Sequence, residues 1–511
     1  MLLTVTYTKR MNQPSNRGGL FICRFLLLVL ISMSVYASAE SKISANNLLY
    51  LNYLLQRHPT VRVIVGIDSP MLATIENSAV SADQAELVQA ELMRVIAELN
   101  ITDSQIHRTY QYIPYMVLNI AAPDLTAILQ HPDVIKVDPD TAKRIELKLD
   151  ATPSIVEASR YCSGGYCGAG QTIAVFDTGV DYTHTMLAGK VVDGACFSNS
   201  FCAGGVSELT GSAAAGDRCY AINTSASECY HGTHVAGIAA GRSISDGYCN
   251  GCSGIARDAD IISIQVFSEV FDGTDSSYFL GMYSSDELSA FEYIYSLRNT
   301  YSIAAINMSY GSSYDNVDNA SDCDYAYSNL ARQYISLLNA AQIAIIAASG
   351  NDGQTSHMSA PACLSDVISV GSTTDSDNVS SFTNLSVELD FLAPGSGIKS
   401  AIPGADSYAA YSGTSMATPH VAGAYAIMRQ VQPDATVADI TATLKATAEP
   451  VATQSAAGTV GRINISSAAD SISGSVLNNS PQAVRVPAPL WSHSVFLLAI
   501  LVIVRNLHRF K

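Results

Sequence analysis

Four short runs constrain the fold of this chain more than anything else in it. "TIAVFD" (172–177), "ADIISIQVF" (259–267), "AAINMS" (304–309) and "QIAIIAAS" (342–349) are apolar at almost every position. A strand with one wet face alternates polar and apolar residues, whereas a strand covered on both faces does not. Helical stretches lie between these runs, near 231–241, 285–298 and 326–340. The alternation predicts an α/β fold of three layers, a mainly parallel sheet with helices on both sides. Sites in such sheets form beyond the carboxyl ends of the strands.

The preceding segment has a different grammar. "VRVIVGID" (61–68) alternates as a half-buried strand. "SADQAELVQAELMRVIAEL" (81–99) has helical spacing at Leu87, Leu92, Val95 and Ile96. A strand near 105–111 and "YMVLNI" (115–120) follow, then "APDLTAILQ" (122–130), a short helix with Asp124 in a capping position, and the strand "DVIKVDPD" (133–140). The order βαββαβ predicts a ferredoxin-like α+β domain over 60–145, behind a short lead-in at 40–60.

Both ends read as addresses. Arg10, Arg17 and Arg24, the apolar "FLLLVLISMSV" (25–35) and Ala37-Ser38-Ala39 make residues 1–39 an export signal with signal peptidase as partner. Ser-, Asn- and Ala-rich sequence begins near 466, and residues 471–489 are assigned as a linker. Segment 490–511 holds an apolar run, "VFLLAILVIV" (495–504), followed by "RNLHRFK". It reads either as a transmembrane anchor or as a sorting signal resembling the bacterial PEP-CTERM kind, which would add a sorting transpeptidase as partner. Either way the middle of the chain is expected outside the cell, secreted or held at the surface. Cysteine usage agrees. With Cys23 in the signal, the other ten cysteines fall between 162 and 363, an even number as in a disulfide framework of open connectivity. "CNGC" (249–252) reads as a structural bridge, and no histidine cluster stands at zinc spacing. A net charge of −17 argues against nucleic acid or an anionic membrane surface as partner.

Three polar constellations interrupt the apolar pattern. "VFDTGVD" (175–181) puts Asp177 at a strand end, "HGTHVAGIAAG" (231–241) puts His231 at a helix start, and "SGTSMATPHVAG" (412–423) puts Ser415 at another. Singly, each has a bland reading: a strand-end Asp, a structural His, a capping Ser. Together they supply a nucleophile, a base and the carboxylate that orients the base, in the chain order Asp, His, Ser. An α/β-hydrolase would run Ser, acid, His and carry G-x-S-x-G, but the fifth position here is Ala417. His234 and His420 read as core histidines, and Pro419 as tolerable near a helix start, where N–H groups lack partners.

On "DTGVD" (177–181), "HGTHVAG" (231–237) and "GTSMATPHVAG" (413–423), in that order, the chain resembles the subtilisin family of serine endopeptidases, over roughly 60–470. The resemblance implies a subtilisin-like peptidase domain over 155–470, preceded by an inhibitory propeptide domain. It implies protein or peptide substrates, and a zymogen whose own propeptide is its inhibitor until cleavage near 145–160. Asp177 would orient His231, His231 would act as base then acid, and Ser415 would attack the peptide carbonyl. "ASGND" (348–352) places Asn351 as oxyanion-hole donor, and "NMSYG" (307–311) places Ser309, Tyr310 and Gly311 at the substrate. Tyr310 stands where the family often has Leu. No cofactor is implied for the chemistry. Met186 replaces a residue that binds calcium in the family, so the common strong calcium site is expected to be absent, with other calcium sites left open. The rival reading is a catalytically silent surface binding protein on the same fold.

Overall fold

The computed structural model describes residues 42–479 apart from 71–79, 145–161, 163, 213, 217, 220–227, 246–251, 273–275, 313–322, 325–328, 454 and 456. The export signal, the cleavage region, Cys249 and the apolar tail lie outside the described residues.

The lead-in is helical, α1 (Ala45–Leu55), with Ser44 as its N-cap. The next elements are β1 (Val61–Ile67), α2 (Ala82–Glu98), β2 (Ile106–Thr109), β3 (Tyr115–Ile120), α3 (Ala122–Gln130) and β4 (Val134–Pro139). The strands form an antiparallel sheet in the order β2-β3-β1-β4, the ferredoxin-like arrangement expected. Two details differ. Leu87 is 58% exposed, and α2 buries Ala85, Val88, Leu92, Val95 and Ile96 instead. Asp124 sits in the first turn of α3 rather than at its cap, and accepts the Ala121 N–H at 2.8 Å. Strand β5 (Ala142–Arg144) then leaves this module and pairs elsewhere.

The main sheet has ten strands. It contains β6 (Thr172–Asp177), β7 (Val191–Phe197), β8 (Glu208–Thr210), β9 (Asp260–Gln265), β12 (Ile303–Met308), β13 (Ala344–Ala348), β14 (Ile368–Thr373), β15 (Phe391–Pro394), β18 (Glu449–Ala452) and β19 (Thr459–Arg462). The order is β18-β19-β15-β14-β13-β12-β6-β9-β7-β8, parallel except for the edge pairs β18/β19 and β7/β8. Successive side chains of a strand point to opposite faces. Ile173 and Val175 of β6 accordingly enter one apolar core, and Ala174 and Phe176 the other. The first core holds α4 (His231–Ala240), α7 (Thr414–Val431), α8 (Val437–Thr447) and α9 (Ile465–Asn479). The second holds α5 (Ser284–Leu297) and α6 (Asn329–Ala340), and continues into the N-terminal module. These two covered faces explain the uniformly apolar runs. Helix α9 runs into the first part of the 471–489 linker, as far as Asn479, with Ile465, Ala468, Ala469 and Ile472 buried; residues 480–489 lie outside the described residues. Their spacing makes an apolar stripe that the small-residue composition obscures.

A hairpin of β10 (Ser268–Asp272) and β11 (Ser277–Tyr283) leads into α5. Strand β5 adds to its edge, with Ala142 opposite Tyr283 and Arg144 opposite Gly281. The four disulfides whose cysteines are both described join neighbours in sequence: Cys162–Cys167, Cys196–Cys202, Cys219–Cys229 and Cys323–Cys363.

Candidate active site

Asp177 is the last residue of β6, His231 the first of α4, and Ser415 the second of α7. All three are buried, as is Asn351 just after β13. Helix α4 reaches the strand end because Gly232 has no side chain: a Cβ there would lie 2.4 Å from the Gly179 carbonyl oxygen and 3.1 Å from Asp177. Thr178 ties the two elements together. Its hydroxyl accepts the Gly232 N–H at 3.0 Å and donates to the Cys229 carbonyl at 3.3 Å, while its own carbonyl accepts the Cys219 N–H at 2.9 Å. The Cys219–Cys229 disulfide joins the two points that Thr178 also bonds.

Nδ1 of His231 lies 2.9 Å from both carboxylate oxygens of Asp177. A carboxylate can only accept, so Nδ1 donates, and in the neutral ring the lone pair is on Nε2. Nε2 is buried and meets no hydrogen-bond partner among the described residues. Ser415 does not hydrogen-bond to it here. Its hydroxyl donates to the Ser309 carbonyl at 2.8 Å, and the Ser309 hydroxyl donates back to the Ser415 carbonyl at 2.8 Å.

That second bond has a covalent cause. Pro419 is the sixth residue of α7, beyond the first turn where a proline costs nothing. The missing N–H of Pro419 is the one that would bond Ser415 O, and the Ser309 hydroxyl takes its place. Ser309 therefore braces α7 through its hydroxyl, while its carbonyl holds the Ser415 hydroxyl. Tyr310 and Gly311 do line a recess beside Ser415, together with Asn351 and Ser359.

The Asn351 side-chain oxygen accepts the Thr414 N–H at 2.9 Å and the Thr414 hydroxyl at 3.0 Å. A backbone N–H only donates, which settles the amide orientation and turns Nδ2 away from Thr414. Two other histidines are not competing bases. Burial pushes His234 down to about 3 and His420 down to about 4. His234 Nε2 lies 3.1 Å from the Ala409 carbonyl and His420 Nδ1 2.8 Å from the Met416 carbonyl.

Met186 is 1% exposed, with its methyl group where a Cβ on Gly241 would stand, and a thioether there offers a hard cation no oxygen. Among the described residues one cluster has metal-ligand spacing, Glu98, His131 and Asp133. Its carboxylates are already paired, with Arg94 at 3.0 and 2.7 Å. No described helix is long and apolar enough to cross a membrane.

Thr414 reads in the sequence only as a turn residue before Ser415, and its bonds to Asn351 depend on tertiary packing. Ser359 stands in no local pattern, and its place beside Gly311 and Gly350 is likewise tertiary.

The family model described as "Subtilase family" matches residues 168–467. "Intracellular serine protease" of Paenibacillus polymyxa is 31% identical over 268 residues, 52% of this chain and 68% of that one. "Subtilisin-like protease 3" of Pseudogymnoascus destructans is 33% identical over 282 residues, 55% of this chain and 56% of that one. "Alkaline protease" of Alkalihalobacillus alcalophilus is 28% identical over 376 residues, 73% of this chain and 84% of that one. A solved structure described as proteases from Pseudoalteromonas arctica is 24% identical, covering 60% of this chain and 91% of that one at a TM-score of 0.49. With a family match spanning more than half of its length, the chain belongs to the subtilase family and is a serine endopeptidase.

Proposed function

We propose that the chain cleaves peptide bonds through Asp177, His231 and Ser415, and is made as a zymogen held shut by its own N-terminal module. The observation that carries the reading is the buried Asp177–His231 pair, with Nδ1 engaged and Nε2 left as a base. In the active conformation the Ser415 hydroxyl turns about its Cα–Cβ bond from the Ser309 carbonyl to Nε2. Its oxygen attacks the substrate carbonyl carbon while its proton passes to Nε2, and Asp177 stabilises the imidazolium. The carbonyl oxygen becomes an oxyanion, which takes hydrogen bonds from Asn351 Nδ2 and the Ser415 N–H, one of the first-turn amides an α-helix leaves without an acceptor. Collapse breaks the C–N bond, and the leaving amine takes the proton from Nε2. Water then attacks the acyl ester by the same route in reverse, restoring Ser415. Apart from the substrate and the water, every group in these steps is a side chain or amide of this chain.

The zymogen reading is supported by how the N-terminal module docks. Strand β5 already lies antiparallel on the edge of β11, as an extended peptide would. Asp140, just before it, accepts the Ser285 N–H at 3.1 Å and the Ser285 hydroxyl at 2.7 Å, capping α5 from outside. Release requires cleavage in 145–160. Export through residues 1–39 and retention or loss of the 490–511 segment complete the reading.

A fluorophosphonate probe tests the catalytic claim. The processed wild type is expected to be labelled and Ser415→Ala to show no label. A correctly folded, processed wild type that stays unlabelled sinks the reading.

A further inference from the structure

The recess beside Ser415 is small for a reason the structure makes explicit. Its free space holds about one water molecule. Tyr310 is not what closes it. That ring is 2% exposed, donates its phenol proton to Glu287 Oε1 at 3.2 Å and stands edge-on to Phe267. Ser359 is. A Cβ on Gly311 would lie 2.8 Å from Ser359 Cβ, and a Cβ on Gly350 would lie 2.4 Å from Ser359 Oγ. The Ser359 side chain therefore abuts both glycine walls, and neither wall can recede by losing atoms. It is also anchored: its N–H donates to the Ser349 carbonyl at 2.9 Å, and Asn384 Nδ2 approaches its hydroxyl at 3.4 Å. The one charged side chain on the recess is Asp352, whose carboxylate repels an acidic guest.

We propose that this recess accepts only small, uncharged side chains, of glycine, alanine or serine size, on the residue whose carbonyl Ser415 attacks, and that Ser359 sets the limit. The proposal rests on the catalytic reading above and names its substrate class. A larger side chain must either displace Ser359 from the two glycines or leave the scissile carbonyl short of Ser415. A mismatch of that kind is felt in kcat/KM, because it misplaces the reacting atom in the transition state.

The test compares two chromogenic tetrapeptide anilides that differ only in Ala or Phe before the cleaved bond. Active sites are counted with the fluorophosphonate probe, so that misfolded protein does not enter the rate. The wild type should hydrolyse the Ala peptide with a kcat/KM at least about tenfold above the Phe peptide. Ser359→Gly should raise the Phe/Ala ratio by about tenfold or more, and Ser359→Ala, which removes only the hydroxyl, should move it the same way by less. If Ser359→Gly yields no labelled protein, the wild-type ratio and Ser359→Ala decide between them. Equal rates on both peptides in labelled wild type overturn the size limit, and a ratio unmoved in both labelled variants overturns the assignment to Ser359. Both results leave the catalytic reading standing. Wild type that neither takes the probe nor cleaves either peptide removes that reading, and this proposal with it.

Discussion

Thr414 acts at the smallest scale. Its hydroxyl and N–H both hold the Asn351 oxygen, so it positions the amide. Thr414→Val keeps the shape and removes one of the two bonds. We expect kcat to fall about tenfold with KM little changed, since the interaction is made with the transition state alone. Steady-state kinetics on a peptide anilide check the split; an equal rise in KM would assign Thr414 to ground-state binding. At this scale the sequence was most informative where chemistry demands a residue type. Asp177, His231 and Ser415 stand out because no other pattern explains them together. The same reading set aside His234 and His420, and the structure shows why: each ring is buried against a backbone carbonyl. Ser359 was illegible, and Thr414 legible only as a turn residue, because small hydroxyl residues fill loops and helix starts everywhere.

Helix α5 carries the argument at the scale of elements. Its N-cap residue, Tyr283, provides no capping side chain, and its first-turn N–H is met by Asp140 from the N-terminal module. Asp140 also pairs with Arg62. Asp140→Ala is therefore expected to cost the uncleaved chain ~1–2 kcal/mol, the usual loss for a capping side chain. Urea unfolding in a Ser415→Ala background, where the chain stays whole, measures it; an unchanged midpoint would contradict the cap. Element types were legible from periodicity: the runs at 172–177 and 115–120 match β6 and β3 residue for residue. Which face turned inward was less so. Leu87 fits an apolar stripe of α2, yet the neighbouring stripe through Ala85 and Val88 is the buried one. Pro419 marks the same limit, since a gap in a helix ladder is tolerable only if a distant hydroxyl fills it.

At the scale of the molecule, the N-terminal module and α5 enclose a carboxyl group at their junction. Burial pushes Asp286 up to about 7; Asp140 and Glu208 push the same way, and Arg62 and Arg108 oppose them. One of its oxygens has no hydrogen-bond partner among the described residues. Between the ordinary carboxylate value of about 4 and about 7, the folded chain keeps a proton there that the unfolded chain has lost. The contribution of Asp286 to stability therefore falls as pH rises through that window, by at most about 1.4 kcal/mol per pH unit. Asp286→Asn removes this dependence. In a Ser415→Ala background, the variant is expected to gain on its parent between pH 5 and 7.5, as read by urea midpoints; parallel curves would show that Asp286 is not buried as a neutral acid. The sequence by itself determined the layers, the parallel sheet and the antiparallel module before it, and it named Asp177, His231 and Ser415 as the candidate site. Those follow from local rules, namely the period of burial along a strand or helix and the residue types a reaction needs. Only the tertiary structure decided that Ser309 fills the place of an absent N–H, that Asp140 caps a helix outside its own module, that residues 465–479 form a helix, and that Ser359 abuts Gly311 and Gly350. Each of these is a contact between segments far apart in the chain, and its energy depends on a geometry that no local pattern encodes.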